Sequence, residues 1–183
     1  MLLEYEIFFR EKEKGAVLIF LPGEFEIATM IKSFKAHDPD NNEKLIFFPL
    51  HSRMPFEDTK KIFHTVPDGF RKIILSTNMA ESSVTIPDIS FVIDFCLTKK
   101  LVCDPSTNYR YVHKFVFYLF FILYISVQSF SSLQLVWTDK NSCEQRKGRA
   151  GRVRSGRVYR LVFRDFYNRV LLDEESKCNI FGP

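Results

Sequence analysis

Cysteine is scarce in this sequence and badly spaced for metal. Cys96, Cys103, Cys143 and Cys178 form no Cys-x-x-Cys pair and no metal-ligand pattern. That argues against a zinc module and against a disulfide framework, so buried thiols in a reducing compartment and no metal site are expected. The start of the chain, Met1-Leu2-Leu3-Glu4-Tyr5-Glu6, has no basic segment leading into an apolar run, and no secretory leader is expected. No Gly-x-x-x-x-Gly-Lys-Ser/Thr loop occurs, so the usual backbone cradle for nucleotide phosphates is missing. Net charge is small, at +4.

The 183 residues fit one domain, with a few residues left for a neighbour, and the 46% hydrophobic content is ample for a packed core. Leu3, Ile7 and Phe8 fall on one side of an opening helix over 1–14 that Gly15 stops. Ala16 to Leu21 is continuously apolar and ends at Pro22-Gly23; a short strand without alternation is buried on both faces, as in a parallel sheet. Ile27, Met30, Ile31 and Phe34 restart at helical spacing within Glu24 to Lys35. Further strands are expected at Lys44–Leu50, Lys72–Ser76, Ser90–Phe95 and Val158–Phe163, with a short helix at Pro55–His64. Strands alternating with helices over short links predict an α/β domain with a parallel sheet. Ligands of such domains bind at loops following the strands, where Pro22-Gly23, His51-Ser52 and Thr77-Asn78 fall. Thr77, Asn78, Ser82, Ser83 and Thr85 supply donors that position phosphate or sugar without reading sequence; the same residue types are also common helix caps.

Positive charge is concentrated near position 150. Arg146, Lys147, Arg149, Arg152, Arg154, Arg157, Arg160 and Arg164 follow one another with no acidic residue between them. Gln145-Arg146-Lys147-Gly148-Arg149-Ala150-Gly151-Arg152 suits a polyphosphate, because guanidinium groups stay charged and grip phosphate oxygens in pairs. Arg149 and Arg152 would share a face on a helix, and Gly148, Ala150 and Gly151 allow close approach. A solvated basic run touching nucleic acid non-specifically has the same composition.

These motifs resemble the second RecA-like lobe of superfamily 2 helicases of the DEAH/RHA type. Gln145 to Arg152 matches motif VI without a gap. Ser76 to Ile86 (STNMAESSVTI) matches motif V, with Ser82 where threonine is commoner and Val84 where leucine is. Val17 to Gly23 followed by Glu26-Ile27 matches motif IV, and Leu50-His51-Ser52 with Pro55 matches the segment after it, with Thr59 where glutamine is frequent. The motifs stand in family order over roughly residues 15 to 164. The wording of Cys103 to Tyr109, Cys143 to Arg146 and Tyr159 to Val162 is similar to the Tudor-domain-containing, spindle-E-like branch, which implies a germline role in piRNA-guided silencing.

The resemblance implies a RecA-like, P-loop NTPase-type three-layer fold over 15–166, led in by 1–14 and followed by a further domain or tail over 167–183. It implies an ATP-dependent RNA helicase. Arg149 and Arg152 would be arginine fingers, with Gln145, Gly148 and Glu81 at the nucleotide. Thr77, Asn78, Ser52 and Thr85 would contact the RNA backbone, and Glu81 and Ser83 would link the two faces. ATP with Mg2+ is the implied cofactor, held mainly by a first lobe that carries the phosphate loop and the Asp-Glu-Ala-His box, neither of which is in this sequence. RNA and that first lobe are the implied partners, the location cytoplasmic or nuclear, and the chain by itself would hydrolyse no ATP. A non-catalytic basic nucleic-acid-binding module is the alternative.

Phe115 to Val127 (FVFYLFFILYISV) fits neither reading. It falls short of the roughly 20 residues of a spanning helix, and related lobes run from the Asn108-Tyr109 region almost directly into the strand at Leu133–Trp137. Three readings of Val112 to Gln128 stay open: an untrimmed short intron translated in frame, a true insertion at a surface hairpin, or a membrane contact. No genuine membrane association is expected.

Overall fold

The computed structural model describes residues 15–37, 44–82, 86–103, 131–151 and 155–173. The opening helix expected over 1–14, the aromatic block and most of the tail lie outside them.

Five strands form the main sheet: β1 (Ala16–Phe20), β2 (Leu45–Leu50), β3 (Arg71–Ser76), β4 (Ile89–Asp94) and β7 (Arg157–Arg160), in spatial order β2-β3-β1-β4-β7. Every described pairing in it is parallel. The central β1 is buried at all five positions, as its unalternating apolar run requires. Ala16, Leu18 and Phe20 point to one side of the sheet, among Leu50, Ile74 and Val92. Val17, Ile19 and Leu21 point to the other, among Ile73, Leu75, Phe91 and Ile93.

Helices close both faces. α1 (Glu24–His37) lays Ile27, Met30, Ile31 and Phe34 on the second face, and Glu24 and Glu26 in its first turn complement the positive helix end. On the first face lie Ile62, in a 3-10 turn that follows the short α2 (Phe56–Lys60), and Met79 and Ala80 of α3 (Met79–Ser82). The layers are those expected of an α/β three-layer domain. β5 (Leu97–Cys103) and β6 (Ser131–Trp137) make a separate two-stranded sheet. Two further helices stand among the described residues, α4 (Lys140–Lys147) and α5 (Arg164–Arg169). The chain divides into two compact units, residues 99–136 forming the smaller one.

One expectation needs correction, and one, the short helix over Pro55–His64, is present in finer form. The strand expected over Val158–Phe163 ends at Arg160, because the backbone turns into α5 at Phe163. The segment Pro55–His64 is a five-residue α-helix running into a 3-10 turn, which His64 ends in an extended conformation. β5, α3 and α5 have too few periodic residues to be read from the sequence.

Gly15 enters β1 at φ +146°, and a Cβ there would stand 1.9 Å from Ser90 Oγ on the neighbouring β4. Gly15→Ala is therefore expected to destabilise the fold by about 1–3 kcal/mol, measured as a lower urea midpoint at unchanged slope.

Candidate functional site

The carboxyl ends of β2, β3, β1 and β4 open on one edge of the sheet, and this edge collects the sequence-predicted residues. Thr77 N–H donates to Leu50 O at 3.1 Å and Leu21 N–H to Ser76 O at 2.8 Å, which carries the ladder past the strand ends. Ser52 is exposed in the turn after β2, closed by Met54 N–H to His51 O at 3.0 Å. Asn78 is exposed after β3, beside a half-buried Thr77. Ala80 and Glu81 N–H donate to Thr77 O and Asn78 O, so these two residues also start α3. The structure thus brings Ser52, Thr77 and Asn78 to adjacent strand ends. Thr85 and Arg152 lie outside the described residues, as does Ser83.

α4 is held against this edge by buried charge. Asp139 caps it, accepting from Ser142 N–H at 2.7 Å. About two turns on, Arg146 is 1% exposed. Its Nη1 meets Asp94 Oδ1 at 2.7 Å, its Nε donates to Glu81 Oε1 at 2.7 Å, and its guanidinium lies 5.0 Å from the centre of the Phe20 ring. Asp94 is the last residue of β4 and is wholly buried; Glu81 lies on α3. One guanidinium therefore joins the central sheet, motif V and motif VI.

Burial works against charge on both sides of this cluster. It pulls the Arg146 pKa down, but the facing Asp94 and Glu81 outweigh it and the net shift is upward. It pushes the Glu81 carboxyl up, and Arg146 only partly offsets that, so Glu81 ends above the ordinary carboxylate range. The geometry favours a charged Arg146, which meets two carboxylates at hydrogen-bond distance.

The helix ends at Lys147. Gly148 caps it with its N–H on Glu144 O at 2.9 Å, Arg149 and Ala150 continue in tight turns, and Gly151 adopts φ +82°. Small residues and a left-handed glycine leave the helix no means of continuing. This corrects the expectation that Arg149 shares a helical face with Arg152. Arg149 sits instead in the turn, half-buried, with Nη2 donating to the main-chain oxygen of Glu81. Gln145 and Gly148 are exposed.

The basic patch is also smaller than its sequence. Arg146 belongs to the core. Glu144 takes Arg160 at 2.7 Å and Lys147 at 2.9 Å, and it accepts from Tyr167 Oη at 3.3 Å. Sequence reasoning missed Arg146 and Asp94 as organising residues. The available signal was Asp94 itself, an acid closing the apolar run Ile-Ser-Phe-Val-Ile-Asp.

Removing Arg146 strands two carboxylates. Arg146→Met is expected to cost about 3–5 kcal/mol, and adding Glu81→Gln should return part of it; equal stability of the single and double variants would refute the coupling. The hydrogen bond from Lys147, with help from Arg160, holds the Glu144 carboxyl below its ordinary value. That stabilisation is present above the unfolded-state value and is lost as pH falls through the lowered folded one. Being half exposed, the cluster is worth less than about 1 kcal/mol. The stability gap between wild type and Glu144→Gln should thus hold near neutral pH and close in acid, as followed by thermal unfolding across pH.

Comparison with known proteins places this geometry. Residues 1–154 match the model of the helicase conserved C-terminal domain. Probable ATP-dependent RNA helicase spindle-E of Drosophila yakuba is 49% identical over 85% of this chain and 9% of its own length. ATP-dependent RNA helicase TDRD9 of Rattus norvegicus is 45% identical over 88% of the chain and 10% of its own. The chain thus spans about a tenth of these relatives. Among solved structures, the Escherichia coli DEAH/RHA helicase HrpB superposes with a TM-score of 0.72 at 26% identity, over 94% of this chain and 19% of HrpB. The chain belongs to the helicase conserved C-terminal domain family, as a RecA-like lobe of the DEAH/RHA type on the branch of spindle-E and TDRD9.

Proposed function

We propose that this chain is the second motor lobe of an ATP-dependent RNA helicase and forms one wall of a nucleotide pocket whose other wall is a first lobe. The observation that carries this is the buried Glu81–Arg146–Asp94 cluster. It fixes the arginine-bearing turn and the start of α3 in one rigid relation to the sheet edge. Arg149 and Arg152 then act as fingers, preplaced cations where negative charge develops on the transferring phosphoryl group. Gln145 and Gly148 face the nucleotide beside them. Glu81 transmits between the sites, since its carboxylate holds Arg146 while its main-chain oxygen holds Arg149.

Ser52, Thr77, Asn78 and Thr85 hold the RNA backbone through hydroxyl, amide and main-chain groups, which are blind to sequence. The exposed donors after β2 and β3 fit a phosphate-ribose chain crossing the sheet edge. ATP supplies the free energy when bound between lobes, and Mg2+ is held mainly by the first lobe. Differential affinity of the open and closed lobes for RNA converts hydrolysis into movement. The resemblance to the spindle-E branch extends the proposal to a role in piRNA-guided silencing.

A basic module acting through charge alone is disfavoured by the placement of the charges, because Arg146 is internal and Lys147 and Arg160 are engaged by Glu144.

In the parent protein, Arg149→Ala is expected to lower RNA-stimulated ATP turnover by about 10³-fold or more, while RNA affinity changes only slightly. A loss of RNA affinity matching one lost phosphate contact, at near-normal turnover, would favour the basic module. The isolated chain should release no phosphate from ATP above background in a sensitive assay, with or without RNA.

A further inference from the structure

Cys96 and Cys143 are 47 positions apart in sequence, yet their sulfurs lie 3.8 Å apart in the interior, and both residues are 0% exposed. Their ligand atoms and a carboxylate oxygen of Asp94 all fall within 4.8 Å of one another. We propose that Asp94, Cys96 and Cys143 form a binding site for one thiophilic divalent cation of the zinc class, which staples the end of β4 to α4.

The local backbone is shaped for it. Cys96 adopts φ +56°, a left-handed conformation that costs a non-glycine residue energy and persists only where the surroundings enforce it. Its N–H donates to Asp94 Oδ1 at 2.8 Å, so the bend folds residues 94 and 96 into one corner. Helix α4 brings Cys143 to the same corner, three residues ahead of Arg146, with Asp139 fixing the helix start.

Asp94 uses one oxygen and leaves the other idle. Oδ1 serves both Arg146 and the Cys96 N–H, while Oδ2 is buried without a hydrogen-bond partner. An unsatisfied buried carboxylate oxygen is costly, and a cation at this corner would satisfy it.

The donor set and spacing fit. Two sulfurs on one tetrahedral zinc, each at about 2.3 Å, stand about 3.8 Å apart. Two thiolates with one carboxylate suit a cation of borderline softness and leave a fourth position open.

The charge also balances. Two S–H bonds break, two metal–sulfur bonds form and two protons leave to solvent, with no change of oxidation state. A divalent ion replacing two protons adds no net charge to the interior. Without the ion, the hydrogen bond to Cys96 and burial hold the Cys143 thiol far above its ordinary range, so it stays neutral. Both ligating cysteines are sealed from solvent, so loading accompanies folding rather than following it. This proposal stands on residues distinct from the proposed fingers, and shares only Asp94 with the ion-pair cluster that holds α4.

The test is to refold the full chain with zinc alone, and separately with cobalt alone, and to remove loosely bound ion. About one zinc per chain is expected, with two sulfurs at about 2.3 Å by X-ray absorption, and cobalt should show thiolate charge-transfer bands. Cys143→Ser and Cys96→Ser should each weaken binding by roughly 100-fold or more. Should these variants fail to fold, the sulfur count in the wild-type protein decides alone. A natively folded chain without metal, a shell of oxygen and nitrogen only, metal retained by a folded variant carrying both Cys96→Ser and Cys143→Ser, or a Cys96–Cys143 disulfide in unreduced peptide maps would each overturn the proposal.

Discussion

A single buried guanidinium sets the terms for this lobe. Arg146 cannot leave its place without stranding Asp94 at the end of β4 and Glu81 on α3, both of which it meets at 2.7 Å. Placing one positive and two negative groups in a dry interior is not a route to maximal stability, since apolar side chains of similar size can do as well. What the cluster provides is registration. It joins three segments far apart in sequence, and it tolerates no slip, because each charge is paired at 2.7 Å.

Registration would matter for the proposed fingers, because catalysis by positioned cations is sensitive to small displacements. Arg149 follows Arg146 by three residues but is not on the same helix; a glycine cap and two tight turns intervene. The arginine that anchors and the arginine that faces the edge are therefore held on different local geometries. The first is locked by ion pairs, and the second is held through the main-chain oxygen of Glu81. Any movement of α3 would reach Arg149 through that oxygen. The physical path between the proposed RNA contacts and the proposed finger is thus one residue long.

The core below is ordinary by comparison. Continuous apolar strands are buried on both faces, α1 covers one side, and short helical turns cover the other. A third cluster, of Cys96, Cys143 and Leu171 with Phe166 and Tyr167, packs α4 and α5 together. The polar clasp of Glu144 with Arg160, Lys147 and Tyr167 joins the same two helices to the end of β7, and Arg160 stacks 4.4 Å above the Tyr167 ring. Helix α4, which leads into the proposed fingers, is thus held at its start by a cap, towards its end by buried charge, and along its outer side by this clasp.

The sequence by itself determined the strands. Ala16–Phe20 and Ile89–Asp94 have no polar alternation, and a backbone buried on both faces has few options other than a covered parallel sheet. It also determined that Ser52, Thr77 and Asn78 would meet, because each follows a strand of one parallel sheet and all its carboxyl ends share an edge. Only the tertiary structure decided which cation of Gln145-Arg146-Lys147-Gly148-Arg149 is internal. Periodicity reports a face of a helix but not what another chain segment offers to that face, and the carboxylates that claim Arg146 come from 65 and 52 residues away. The same holds for Cys96 and Cys143, whose spacing carries no signal and whose contact exists because β4 and α4 converge on one corner.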